Sequence, residues 1–91
     1  MAELLHEYWE SDDGGEFGIV QERSDQLRPT LFPDARFVFR LRASSWFEAM
    51  QSYRERLGYG DYKPPVDCPD TFYTDQEARE QVAYLNRRSI P

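Results

Sequence analysis

Between Arg36 and Gly58 the apolar residues change their spacing, and that change limits the folds open to the chain. In ARFVFRLRAS, Phe37, Phe39 and Leu41 alternate with Arg36, Val38, Arg40 and Arg42. A period of two gives a strand with one apolar face and one largely basic face. In SSWFEAMQSYRERLGYG, which follows directly, Trp46, Met50, Tyr53 and Leu57 recur at helical spacing and draw one stripe down a helix. Ser45 with Glu48 three residues later predicts a capping box. Gly58 stands where a left-handed C′ residue would end the helix. A half-apolar strand joined by so short a link to an amphipathic helix buries both apolar surfaces by packing one on the other.

The stretch EYWESDDGGEFGIVQE adds a hairpin. Asp13-Gly14 is a strong short-range hairpin signal, because a type I′ turn needs positive φ at both central residues. That loop sets Asp12 opposite Gly15, Glu10 opposite Phe17 and Tyr8 opposite Ile19. Alternation then places Tyr8, Phe17 and Ile19 on one face, and Trp9 and Val20 on the other. Trp9 would lie opposite Gly18, whose missing side chain leaves room for the indole. Neither face is purely polar, so cover is expected on both.

RSDQLRPTLFPD reads as a turn or short helix, limited by Pro29 and Pro33. YGDYKPPVDCPDTFY has three prolines and no periodicity, so it reads as an ordered loop. TDQEAREQVAYLNRR is a second capped helix, with Thr74 and Glu77 as its box and Ala78, Val82 and Leu85 as its apolar stripe. Residues 89–91 read as a frayed tail. The expectation is one α+β domain over residues 1–91. It is a small two-layer sandwich in which a β-hairpin and a third strand pack against two helices, in the order ββ-β-α-α.

Charge and composition narrow the function. No apolar run is long enough to span a membrane. The N-terminal MAELLHEYWE is acidic where a signal peptide needs a basic start, and a single cysteine forms no internal disulfide. Together these point to the cytoplasm. Net charge is −6, spread as −7 over residues 1–34, +2 over 35–62 and −1 over 63–91. An acidic chain is poorly suited to non-specific nucleic-acid binding, which depends on neutralising phosphates.

Catalytic and metal constellations find little support. The sequence has one histidine, His6, and one cysteine, Cys68, too few for a zinc site. Acids beside Cys68 oppose a reactive thiolate. The Asp12-Asp13-Gly14-Gly15 turn fits no EF-hand register, and neither a phosphate loop nor a serine elbow is present. We therefore assign no catalytic residue, metal or cofactor.

Two binding features stand out instead. Arg36, Arg40 and Arg42 along one strand face would grip a phosphate, a carboxylate or an acidic partner. The plainer reading, which we favour, pairs them with Glu7, Glu10 or Glu16 on neighbouring strands. Tyr59, Tyr62 and Tyr73 flank the proline loop. They either anchor that loop or form an aromatic surface for a protein partner; anchoring is the favoured reading.

EYWES near the start, SWFEAMQSYRERLGY in the middle and YKP just after it resemble a set of short, uncharacterised bacterial proteins of similar length. The resemblance implies a free-standing bacterial domain and no activity. The sequence thus favours a non-enzymatic protein-interaction module, with an unknown protein partner or self-association as a possible homodimer. The alternatives are a small-ligand or anion binder, or enzyme, using the Arg36/Arg40/Arg42 face, and an acidic mimic of nucleic acid.

Overall fold

A computed structural model describes residues 2–89; Met1, Ile90 and Pro91, the last two belonging to the expected tail, lie outside the described residues. The chain forms β1 (Leu4–Ser11), β2 (Gly14–Ile19), α1 (Glu22–Leu31), β3 (Arg36–Ala43), α2 (Trp46–Leu57) and α3 (Asp75–Arg87). The strands make one antiparallel sheet in the order β2-β1-β3. The fold is α+β, with two helices following the last strand. The segment before β3, expected as a turn or short helix, is a ten-residue helix. Pro29 sits in its last turn and Pro33 beyond its end, so each marks a stop rather than breaking an interior.

The hairpin register differs from the expected one. Ser11 pairs with Gly14, Tyr8 with Phe17 and His6 with Ile19, so the loop is Asp12-Asp13. Neither Asp takes positive φ; Gly14 does, at 129°. Hydrogen bonds explain the choice. The Asp13 N–H donates to Ser11 Oγ and the Asp12 N–H to the Asp34 carboxylate, which holds the Asp34 carboxyl below its usual range. The slip preserves which residues share a face but changes neighbours. Trp9 lies opposite Glu16, not Gly18.

The glycine that makes room is Gly15, and it makes room for a phenol. A Cβ there would fall within 2.6 Å of Tyr8 Cε1, whereas one at Gly18 would meet nothing within 4 Å. We expect Gly15→Ala to cost about 1–3 kcal/mol through overpacking and Gly18→Ala far less. Urea melts of the two variants check the contrast; equal costs would reject it.

β3 carries a bulge. Tyr8 pairs with Phe39, but Trp9 pairs with Phe37, so Val38 is the extra residue. Beyond the bulge the faces exchange. Phe37 joins the Trp9 face, packing edge-on at 5.8 Å between centroids, and Arg36 falls opposite Glu10 on the other. The expected three-arginine face is therefore broken: Arg40 and Arg42 share a face, and Arg36 does not.

α2 covers the apolar face as its stripe predicts. Leu41, Ala43 and Ala49 are buried together, with Phe17, Phe39 and Trp46 against them, and Tyr53 stacks on Phe17 at 4.4 Å. Ser45 Oγ caps the helix by accepting from the Glu48 N–H, while the Glu48 carboxylate accepts from Ser44 rather than from Ser45. Gly58 closes the helix in the left-handed conformation, φ 74°. The proline loop returns to this end of β3. Phe72 bridges Ser45, and Asp70 accepts from the Phe47 N–H.

α3 begins with the full Thr74–Glu77 capping box, but only part of the apolar stripe faces inward, Ala78 and Leu85 being half-buried beside Gln81. Val82 is exposed, and the buried residue is Gln81. Gln81 Oε1 accepts from the Leu5 N–H at 2.8 Å, and its Nε2 donates to Leu5 O and Val20 O at 2.9 and 3.0 Å. The amide is thus inserted between the Leu5 N–H and the Val20 carbonyl, completing the end of the β1–β2 ladder. Tyr73, just before α3, reaches the α2 side of the sheet, while Arg88, just after it, reaches the opposite side. The helix crosses the end of the sheet between them.

Candidate functional site

The face of the sheet away from α2 holds a charge cluster. Glu7 on β1 is buried, as are Asp25 and Arg28 on α1. Arg88 donates to both Glu7 oxygens at 2.7 and 2.9 Å and to both Asp25 oxygens at 2.7 and 3.0 Å. Arg28 bridges Asp25 at 3.0 Å and Glu16 at 3.3 Å, with its guanidinium 4.1 Å above the Trp9 ring. The Trp9 N–H donates to Glu7, and the Tyr84 hydroxyl donates to Asp25 through a short hydrogen bond.

Burial opposes ionisation of both carboxyls, but these donors outweigh it. Arg88, Trp9 and Arg40 hold Glu7 below its ordinary value. Arg88, Tyr84 and Arg28 do the same for Asp25. Each oxygen already accepts strong hydrogen bonds, so the cluster is built to join β1, α1 and α3 rather than to exchange protons.

The other face encloses a neutral pair. His6 is fully buried. Its Nδ1 lies 3.1 Å from Leu4 O and its Nε2 2.7 Å from the Tyr73 hydroxyl. A carbonyl only accepts, so Nδ1 carries the proton and Nε2 accepts from Tyr73. Burial lowers the His6 pKa to about 4, against smaller opposing effects of Leu4 and Glu48. Burial, followed by Asp70 and Glu77, raises the Tyr73 hydroxyl to about 12. Both ring nitrogens of His6 are engaged, so it is not available as a base for Cys68, which is exposed on the loop. Among the described residues, no three His, Cys, Asp or Glu side chains gather as a metal site would.

The sequence-selected binding residues separate. Arg40 reaches Glu7 at 3.3 Å, the cross-strand pairing expected from sequence. Arg42 is exposed and lines a shallow hollow with Leu41, Ser52, Glu55 and Arg56. Tyr73 is buried against His6, Tyr62 is half-buried edge-on to Phe47, and Tyr59 is 58% exposed beneath the Arg54 guanidinium. These three tyrosines form no common patch; Tyr62 and Tyr73 anchor the loop. Sequence reasoning did not find Asp25, Arg28, Gln81 or Arg88. The only signal was Arg87-Arg88 at the negative end of α3, and in the structure Arg87 pairs with Glu22 at the surface.

Among the described residues the sheet has two edges that no further strand flanks, the outer side of β2 and the outer side of β3. On β3, Phe37 and Val38 are each 41% exposed. On the opposite side of the molecule, a cleft of about 270 Å³ lies between the end of the β1–β2 ladder and α3. Leu4, Ile19 and Val20 line its apolar part, and Glu22, Glu77 and Glu80 its acidic part. Glu22 and Glu77 are held by Arg87 and Thr74.

No family model, curated protein or solved structure matches the chain. Among the described residues, no helix is long and apolar enough to cross a membrane.

Proposed function

We propose that the protein is a non-enzymatic protein-interaction module that meets its partner along β3. The observation that carries this reading is the open edge of β3, with Phe37 and Val38 exposed on it. An unpaired strand edge offers backbone donors and acceptors to another chain, and exposed apolar side chains beside it add area to bury. The most unusual titratable groups are occupied within the fold: His6 by Tyr73 and Leu4, Glu7 and Asp25 by Arg88. A bacterial cytoplasmic setting, as the resemblance to short bacterial proteins implies, belongs to the same reading.

Self-association through this edge is disfavoured by charge. Antiparallel pairing of two β3 strands over Phe39–Ala43, the length beyond the bulge, is centred on Leu41 and sets Arg40 opposite Arg42 twice. Like charges directly opposite are destabilising. The partner is accordingly a different protein. A photo-crosslinking residue at Val38 should capture one defined protein from native lysate, and the same residue at Gln76 on α3 should not. Equal capture at both positions, or capture only of a second copy, would reject the reading.

A further inference from the structure

The geometry points to an extended acidic segment of a partner protein that adds to the sheet as a strand beside β3; this rests on the interaction-module reading. The chain is acidic as a whole, at −6, yet the flank of β3 is basic. Arg40 and Arg42 stand on one face of the strand. On the other, Arg56 from α2 lies with its guanidinium 5.0 Å from the Phe39 ring, and Arg36 lies opposite Glu10. Glu55 is the acid that shares the hollow with Arg42 and Arg56. Glu7, which reaches Arg40, also serves Arg88 through both of its oxygens.

A strand added at about 4.8 Å from β3 runs between these two rows of guanidinium groups. Its side chains alternate between faces, so carboxylates two residues apart meet Arg40 and Arg42 while the residue between them faces Arg56. The Val38 bulge ends regular pairing. It leaves Phe39–Ala43 as the pairing length and Phe37 as an apolar contact beyond it. Screening over about 8 Å at physiological salt lets this local basic flank outweigh the distant net negative charge. Arginine suits the task because its planar fork matches a carboxylate at two points.

The test uses the isotope-labelled protein and two ten-residue peptides, one alternating Glu and Val and the other alternating Lys and Val. The Glu peptide should shift amide resonances of residues 38–43 and slow their exchange; the Lys peptide should not. Arg42→Glu with Arg56→Glu should weaken binding at least tenfold, while Arg79→Glu on α3 leaves it unchanged. No shift at millimolar Glu peptide, equal binding of both peptides, shifts centred on α3, or insensitivity to the charge reversals would each overturn the proposal. A Val38 crosslink to a partner lacking any acidic segment would overturn it while sparing the interaction reading. Binding of the Glu peptide with no Val38 crosslink would sustain the chemistry of the edge and reject the broader reading.

Discussion

Arg88→Ala should destabilise the protein by about 3–5 kcal/mol, the scale for removing one partner of a buried ion pair. Arg88 makes four charge-assisted hydrogen bonds to Glu7 and Asp25, and all three side chains are nearly inaccessible. Its removal leaves two carboxylates out of water, each with fewer donors. A small domain has only about 5–15 kcal/mol in total, so the variant approaches unfolding at room temperature. Arg88→Lys should recover only part of the loss, because a single ammonium with three donors cannot replace the four hydrogen bonds that the guanidinium makes to two carboxylates.

The sign of the pH response separates this origin from lost packing. In the native protein Glu7 and Asp25 are held below their ordinary values. The stability they contribute is present above the unfolded carboxylate range and is lost as pH falls through their native values. In Arg88→Ala their pKa values rise, so protonation relieves the burial and the deficit shrinks toward pH 4. Urea unfolding of both proteins at pH 7 and pH 4 checks this. A loss below about 1 kcal/mol, or a deficit equal at both pH values, would show that the cluster does not work this way.

Acidification itself supplies the second large effect. Stability should fall by about 3 kcal/mol between pH 7 and pH 4 through His6 alone, at about 1.4 kcal/mol for each unit of depressed pKa. The unfolded imidazole takes a proton near pH 6.5, whereas burial lowers the native one to about 4. The unfolded state therefore binds more protons throughout that window. The contribution is complete above about pH 6.5 and is lost as pH falls toward 4. His6 is the sole histidine, so the upper part of the window, above the carboxylate range, is its own. An NMR titration should show a neutral imidazole down to pH 5. Protonation near pH 6.5 in the folded protein, or flat stability from pH 7 to 5, would contradict the buried Tyr73–His6 pair.

The parts that sequence made legible are those with local rules. Ser45, Gly58 and Thr74 set helix ends by satisfying backbone groups a few residues away, and each does so in the structure. The alternation of Phe39 and Leu41 with Arg40 and Arg42 identified β3 and its buried face. The bulge at Val38 was not legible, since nothing in the order Phe37-Val38-Phe39 tells a continuous alternation from one that skips a residue. The turn slipped because Ser11 and Asp34 side chains compete with the Asp13-Gly14 signal, and Asp34 lies far along the chain. The inner side of α3 is only partly legible for a related reason. Hydropathy favours Ala78, Val82 and Leu85, but the polar docking contacts come from Gln81 and Tyr84 on the helix and Arg88 just past its end, whose partners lie on β1, α1 and the end of β2. The binding face was drawn from alternation alone, so the bulge that moved Arg36 also broke the arginine row.

The insertion of Gln81 into the last rung of the β1–β2 ladder bears on the order of folding. The hairpin closes over a short stretch of chain and forms on a timescale of about 1–10 microseconds. Its final rung needs a residue 76 positions from Leu5, and Arg88 is 81 from Glu7. Loop closure over such separations follows local structure. Before α3 docks, the Leu5 N–H and the Val20 carbonyl lack their joining amide, and Glu7 lacks its main counterion. The first strand is thus made early and finished last, and its completion requires nearly the whole described chain.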